Sequence, residues 1–191
     1  VEELPVSSST FSMANLESGV VFSSKDIATF VPNFHLPDYG SQITSSIYVR
    51  GFGTRIEQPV VGMIVDNVPI LNKNAFDMDL FDLQRVEFLR GPQGTLYGRN
   101  TMCGLVNIHT LSPFSYQGTR LSADYSTGNT ARLKASLYRK PTDKFAFSIA
   151  ANAQHTDGLF RNTYKDELCD PSNSLSLRNR LMGRPSPFPP F

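Results

Sequence analysis

Residues 84–100 read QRVEFLRGPQGTLYGRN, and they carry the strongest structural signal of the chain. Over residues 85–90, apolar side chains such as Val86 and Phe88 alternate with charged ones. This period of two predicts a β-strand with one buried face.

A glycine-rich turn follows this strand. We expect positive φ angles at Gly91, Gly94 and Gly98, because glycine adopts them without steric cost. Pro92 restricts the same path by fixing its own φ. The segment is therefore predicted to be a scaffold and not a ligand site.

Phosphate-loop chemistry is excluded by spacing. A phosphate-binding loop has the pattern G-x-x-x-x-G-K-[ST], whereas Gly94 and Gly98 enclose only Thr95, Leu96 and Tyr97 and are followed by Arg99 and Asn100. The segment Gly51-Phe52-Gly53 has Ile56 where a dinucleotide-binding motif has its third glycine. No nucleotide site is predicted.

Upstream, two apolar runs, residues 60–65 and 68–71, are separated only by Asp66 and Asn67. Both side chains tolerate positive φ, so the two runs and the turn between them predict a β-hairpin. Ser23 and Asp26 form a capping-box pattern before a helix that ends at Pro32. Further short elements are predicted as strands over residues 5–11, 47–50 and 105–109, and as helical segments over residues 13–17, 25–30 and 79–83, with Asp79 as the N-cap of the last. These elements describe a compact α+β domain.

After Gly118 the pattern changes to long stretches of strict alternation. Strands are predicted over residues 121–126, 132–138 and 145–154, and a weaker strand is predicted over residues 175–178 after a polar loop. Strands of about ten residues with one apolar face are typical of an outer-membrane barrel. An ordinary antiparallel sheet with one wet face has the same pattern, so the alternation alone leaves both open.

Charge and composition exclude several classes of protein. The 191 residues carry a net charge of +1, which excludes the basic footprint of a nucleic-acid binder. This balance hides an asymmetry: residues 1–118 contain 7 Lys and Arg against 11 Asp and Glu, whereas residues 119–191 contain 11 against 6. The apolar runs are also much shorter than the roughly 20 residues of a membrane-spanning helix.

No catalytic or metal-binding pattern is present in the sequence. The histidines His35, His109 and His155 are far apart. Two cysteines, Cys103 and Cys169, do not make a disulfide framework. The acidic run Asp77, Asp79 and Asp82 lacks the glycine and the final glutamate of a calcium loop. We therefore predict that the chain is not an enzyme and has no cofactor and no metal.

Four motifs in fixed order carry a family resemblance. They are YVRGFG at residues 48–53, VDNVP at residues 65–69, residues 84–100 as quoted above, and GLVNI at residues 104–108. Together they resemble the plug domain of TonB-dependent outer-membrane receptors. The resemblance implies a plug over residues 1–115, the first transmembrane β-strands of an incomplete barrel over residues 116–184, and an irregular Pro-rich tail over residues 185–191. It places the chain in the outer membrane of a Gram-negative bacterium, with the plug facing the periplasm.

The resemblance also assigns roles to individual residues. Arg50 and Arg90 are expected to pair with glutamates of the inner barrel wall, as a latch between plug and barrel. Asn67 stands where the family has glycine, and Cys103 stands where it has a small residue. The structural motif of the plug comprises Gly51, Gly53, Asp66, Asn67, Gly91, Pro92, Gly94, Gly98, Asn100 and Gly104. Ligand-facing loops are expected at Thr54, Arg55, Glu57, Asn72, Lys73 and Asn74.

The implied function is energy-coupled uptake of a nutrient, which is a siderophore, a vitamin or an oligosaccharide. The implied partners are TonB, through a TonB box upstream of Val1, outer-membrane lipid, the remainder of the same barrel and the nutrient itself. A plugged barrel of this type has about 22 strands, and this chain supplies about four. We therefore expect that the chain does not transport alone. Its C-terminal end is expected to be a truncation or the product of a frameshift. The alternative is a soluble periplasmic module that uses the plug fold for interaction or ligand binding.

Overall fold

The computed structural model describes residues 7–12, 23–27, 30–37, 46–53 and 58–184. The chain divides into two compact units, residues 1–110 and residues 111–191. Each unit has a β-sheet of its own.

The first unit is built on a five-stranded sheet. The seven strands described in this unit are, in chain order, β1 (Ser7–Ser12), β2 (Phe34–His35), β3 (Tyr48–Val49), β4 (Val61–Val65), β5 (Val68–Pro69), β6 (Leu83–Arg90) and β7 (Gly104–Thr110). The sheet has the order β1-β6-β7-β4-β5, and β2 pairs with β3 separately. All neighbours are antiparallel except β4 and β7, which are parallel. The strand β6, which carries residues 84–90 of the quoted stretch, lies between β1 and β7, and β7 is the central strand of the sheet.

Short helical segments connect these strands: α1 (Ser24–Ile27), a 3₁₀ turn (Lys73–Ala75) and α2 (Gly94–Tyr97). The half of the predicted capping box that reaches back to the N-cap forms, since the Asp26 carboxylate accepts hydrogen bonds from the backbone N–H of Ser23 at 2.8 Å and from its hydroxyl at 3.3 Å. The predicted helix over residues 13–17 lies outside the described residues. No helix in the described ranges has the length and apolarity needed to cross a bilayer.

The predicted helical turn over residues 79–83 is wrong. Asp79 instead forms an isolated β-bridge with Ser23, and Asp82 has a φ of 62°, which a right-handed helix does not accommodate. The strand β6 then begins directly at Leu83.

One face of the sheet packs into the core of this unit. The alternation along β6 places Val86 and Phe88 on that face, where both are buried. The ring of Phe88 meets those of Phe34 and Phe11 edge to face, with centroids 5.0 Å and 6.0 Å away. Other buried residues of the same cluster are Ile27, Val61, Met63, Phe76, Val106 and Ile108.

The second unit is an open antiparallel sheet. Its strands are β8 (Gly118–Ser126), β9 (Thr130–Thr142), β10 (Phe145–Thr156), β11 (Phe160–Asn162), β12 (Glu167–Cys169) and β13 (Ser172–Gly183). The main sheet has the order β13-β10-β9-β8, so β8 and β13 each have a single neighbour among the described residues. The predicted fold class, an α+β unit followed by the antiparallel strands of an incomplete barrel, is confirmed.

Two predictions for the second unit were incomplete. The weak strand over residues 175–178 is a 12-residue strand, β13, which pairs with β10 along its whole length. The polar loop before it contains the hairpin β11–β12.

Candidate functional site

Asp66 and Asn67 form the turn of the β4–β5 hairpin, with φ angles of 48° and 67°. The Asp66 carboxylate accepts hydrogen bonds from the backbone N–H of Thr110 at 2.9 Å and from the Thr110 hydroxyl at 2.5 Å. The backbone N–H of Asp66 donates to the carbonyl of Ile108 at 2.9 Å. Asp66 therefore fastens the hairpin to the end of β7.

Arg50 and Arg90 both donate hydrogen bonds to the turn at Pro32 and Asn33. The backbone N–H of Arg50 donates to the Asn33 carbonyl at 2.8 Å, and the Arg90 guanidinium donates to the Pro32 carbonyl at 3.5 Å and to the Ser9 hydroxyl at 2.5 Å. The Nε of Arg90 is buried without a hydrogen-bond partner. No carboxylate of the described residues forms an ion pair with either arginine. The latch to barrel glutamates stays a prediction.

The glycine-rich turn differs from its prediction at one position. Gly91 and Gly98 have positive φ angles of 112° and 77°, as expected. Gly94 does not; it begins α2, and its carbonyl accepts from the Gly98 N–H at 3.0 Å. The prediction of positive φ at Gly94 is wrong, because a helical turn continues the chain there. Pro92, between Gly91 and this helix, is exposed.

The remaining motif residues shape the backbone. Gly51 has a φ of 82° and Asn100 one of 68°. Asn100 also donates from its amide to Gln58 at 3.5 Å. At Gly53 a Cβ would collide with the ring of Tyr48, and at Gly104 it would lie 2.7 Å from the Leu89 carbonyl oxygen.

Of the predicted ligand-facing residues, Thr54, Arg55 and Glu57 lie outside the described residues. Asn72, Lys73 and Asn74 form the start of the 3₁₀ turn, in which the Asn72 side chain accepts from the Asn74 N–H at 3.0 Å. Asn72 and Asn74 are exposed, and Lys73 is half-buried. The structure gives these three residues a fixed turn conformation, and their role toward a ligand stays a prediction.

A polar cluster occupies the sheet face opposite the core. Glu87 on β6 accepts from Arg85 Nε at 2.7 Å and from Asn107 Nδ2 at 3.2 Å, and it lies 3.3 Å from His109 Nε2. Burial raises the pKa of the Glu87 carboxyl, but Arg85 and His109 outweigh it, so that this pKa lies below its ordinary value of 4.5. The carboxylate is therefore held in its ionised form.

The second unit has two chemically different faces. The register of its strands places Leu121, Leu133, Ala153 and Leu175 on one face, and the leucines there are at least half exposed, Leu121 at 74%. The register rows of the other face contain Ser122, Lys134, Asn152 and Ser176. An apolar face this open indicates a surface made for an apolar environment.

Within the described part of the chain, no group of three or more His, Cys, Asp or Glu side chains is placed to hold a metal ion. His155 and Asp157 do make an ion-pair contact of 3.2 Å, but both are exposed. The motif residues of the plug form a structural scaffold, and the second sheet presents an exposed apolar surface.

Comparison with known proteins identifies the first unit. Residues 1–105 match the family model of the TonB-dependent receptor plug domain. The chain belongs to this family. The resemblance drawn from the four motifs is therefore confirmed.

The relatives of this plug-containing chain are transport receptors. The chain is 34% identical over 168 residues to the pesticin receptor of Yersinia pestis, a match that covers 85% of the chain and 25% of the relative. It is 23% identical over 185 residues to the vitamin B12 transporter BtuB of Vibrio vulnificus, covering 91% of the chain and 28% of the relative. The chain thus spans about a quarter of the length of the curated relatives it matches.

The fold is also similar to that of a solved receptor. The crystal structure of the ferric yersiniabactin uptake receptor FyuA from Yersinia pestis has a TM-score of 0.76 and 29% sequence identity, covering 92% of this chain and 28% of that one. The family consists of outer-membrane receptors of Gram-negative bacteria. This chain is accordingly an outer-membrane protein.

Sequence reasoning missed two features of this plug-containing chain. The cluster around Glu87 was hidden because its members on β6 and β7 are 20 or more residues apart. Its local signals were pairs of polar residues two positions apart on one strand face, Arg85 with Glu87 and Asn107 with His109. The sequence predicts a loop where the hairpin β11–β12 forms, and this hairpin presents Phe160 and Tyr164 with 73% and 95% of their surface exposed.

Proposed function

We propose that this chain is the plug and the first barrel strands of a TonB-dependent receptor that gates energy-coupled uptake of a nutrient across the outer membrane. One observation carries the proposal: a sheet of the plug family continues, in the same chain, into four long antiparallel strands with an exposed apolar face. On this view residues 1–115 are the plug and residues 116–184 hold transmembrane strands; the predicted tail, residues 185–191, lies outside the described residues.

The length and pattern of the second sheet support membrane insertion. Its main strands have 9 to 13 residues, and a transmembrane β-strand needs about 9–11. The leucines of the apolar face would contact lipid. In a bilayer, however, no strand edge remains unpaired, so β8 and β13 need further strands of the same barrel as neighbours. A chain with only these four strands does not transport by itself.

A ferric siderophore is the substrate class we favour among siderophore, vitamin and oligosaccharide. The similarity to the ferric yersiniabactin uptake receptor, at 29% identity, supports this choice. The similarity to the vitamin B12 transporter is weaker, at 23%.

Gating is assigned to the plug. TonB would act on a segment upstream of the plug sheet, and Arg50 and Arg90 would hold the plug to glutamates of the barrel until then. Such pairs suit a latch, because charges enclosed in a lumen need partners and a hydrated lumen leaves the pairs breakable. The loops around Thr54 and Asn72 would contact the nutrient. We assign no catalytic step to this chain.

The test is uptake of a radiolabelled ferric siderophore by cells that produce the receptor carrying this chain. We expect uptake in cells with TonB and none in cells without it. Uptake that is equal in both strains would overturn the proposal. The double variant Arg50→Ala, Arg90→Ala should reduce the TonB-dependent rate, whereas the control Arg99→Ala, an exposed arginine in the same motif, should not.

The alternative, a soluble periplasmic plug-fold module, is distinguished by fractionation of the 191-residue chain. The exposed leucines of the second sheet predict that the chain sediments with membranes or requires detergent. A chain that stays monomeric and folded in detergent-free buffer would favour the soluble module. Substrate-specific flux into liposomes containing this chain alone would refute the statement that four strands do not transport.

A further inference from the structure

Three polar side-chain atoms meet at the centre of the plug sheet. Asn107 Nδ2 lies 3.2 Å from Glu87 Oε2 and 2.9 Å from His109 Nε2, and the latter two atoms are 3.3 Å apart. All three sides of this triangle are of hydrogen-bond length or close to it. Glu87 and Asn107 are direct partners in the register of β6 and β7. Both are buried, and the His109 side chain is 20% exposed.

With the Asn107 amide oriented as in the structure, one arrangement of hydrogens satisfies the triangle. The Asn107 amide donates to Glu87 Oε2 and to His109 Nε2, which requires that Nε2 carries no hydrogen and that the ring proton is on Nδ1. This arrangement leaves the Asn107 Oδ1 buried without a hydrogen-bond partner.

With a protonated histidine, the same arrangement is not possible. An imidazolium carries a hydrogen on Nε2, which would face the Asn107 N–H at 2.9 Å. Rotation of the amide by half a turn places Oδ1 at that corner, where it accepts from Nε2–H, and leaves Oδ1 in an acceptor–acceptor contact with Glu87 Oε2. The Nε2–H then donates to both Glu87 and Asn107. Each protonation state therefore has one donor that serves two acceptors, and the amide must rotate between them.

Among the described residues, the charged groups nearest His109 on β6 and after β4 have partners of their own. From β6, Arg85 is its register partner, but its Nε is bound at 2.7 Å to Glu87 Oε1, the oxygen that the triangle does not use. From β4, the carboxylate of Asp66 is held by Thr110. On the far side of β6, β1 places only Thr10 and Ser12 opposite Glu87 and Arg85. Protonation of His109 thus changes this cluster from neutral to a net positive charge.

We propose that Glu87, Asn107 and His109 form a two-state proton switch between the central strands of the plug. When His109 is neutral, the Asn107 amide bridges β6 and β7; when His109 is protonated, the amide turns and an ion pair between His109 and Glu87 replaces the bridge. The switch depends on side chains of the plug alone, so it holds whether or not the chain takes part in transport.

The experiment is a pH titration of the chain in detergent, followed by nuclear magnetic resonance of the side-chain amide of Asn107 and of the ring nitrogens of His109. We expect the Asn107 amide resonances to shift with pH and to follow the protonation of His109. In His109→Gln this shift should disappear. In the control His35→Gln, which changes an exposed histidine on β2, it should persist.

Two results would overturn the proposal. One is an Asn107 amide that does not respond to pH in the unmodified chain, or that responds equally in His109→Gln. The other is a neutral His109 with its proton on Nε2, because the triangle requires that nitrogen to be bare. The second measurement uses the unmodified chain, so it decides the matter even if His109→Gln does not fold.

Discussion

The five-stranded sheet of the plug and the four-stranded sheet that follows it share one sequence pattern and differ in where their apolar side chains lie. In the plug, Val86 and Phe88 are buried at 0% and 3% exposure. In the second sheet, Leu121 and Leu181 are both 74% exposed. Alternation therefore specifies a sheet with two unlike faces. The surroundings of the sheet, a protein core or an apolar exterior, decide whether the apolar face is buried or exposed.

The largest effect is expected from truncation in the plug core. Phe88→Ala removes a buried ring with two edge-to-face neighbours, and should lower the free energy of unfolding by about 3–5 kcal/mol. The measurement is denaturant unfolding of the chain in detergent. Leu177→Ala on the exposed face of β13 is the control and should change little. Equal losses for the two variants would contradict the distinction between the sheets.

A second pair of variants tests the apolar face as a lipid contact. Leu121→Lys places a charge on that face, and Ser122→Lys places it on the polar face one residue later. In the receptor folded into phospholipid vesicles, Leu121→Lys should cost about 2–4 kcal/mol if it lies near the bilayer midplane. Ser122→Lys should cost much less. If both variants unfold at the same denaturant concentration, the second sheet is not a membrane wall.

A smaller effect is expected at the β4–β5 hairpin of the plug. Asp66→Gly tolerates the φ of 48° but loses both hydrogen bonds to Thr110, which should cost about 1–3 kcal/mol. Asp66→Ala should cost about 1 kcal/mol more, because alanine is strained at this φ. The control Asn67→Gly keeps every bond and should be near neutral in the same unfolding assay. A larger loss in the control than in Asp66→Gly would refute the fastening role of Asp66.

The smallest effect is expected in the acid dependence of stability, which is compared between variants of Glu87 and Asp143. The folded-state pKa of Glu87 lies below its ordinary value of 4.5, so its stabilisation is complete above pH 4.5 and is lost as the pH falls through the folded pKa. Unfolding measured from about pH 7 to about pH 3 should therefore show a shallower acid loss in Glu87→Gln. The hydrogen bond and the charge of Lys140 also lower the pKa of Asp143, in the turn after β9, but this group is fully exposed and Asp143→Asn should change the profile less. The reverse order would contradict the role given to burial.

Much of the fold follows from local pattern. The strands β6, β8, β9 and β10 are marked by alternation over five or more residues, and the hairpin at Asp66 and Asn67 is marked by residues that tolerate positive φ. These signals are local, so they are readable without knowing the neighbours.

Other elements depend on neighbours and were not predictable in the same way. Asp79 is drawn out of a helical turn by its bridge to Ser23, 56 positions earlier in the chain. The strand β13 extends over 12 residues although Asn179 interrupts its apolar face, because β10 supplies a paired partner for every residue. Strand preference depends strongly on such context.

By itself, the sequence of this protein determined its family motifs, the change from plug to long strands after Gly118, and the faces of each strand, because these depend on residues close together in the chain. Only the tertiary structure decided that β4 runs parallel to β7, that Arg90 donates to Ser9, and that Glu87 meets Asn107 and His109. Those contacts join segments up to 81 positions apart. Their geometry is set by how the strands are ordered in the sheet, which no local pattern encodes.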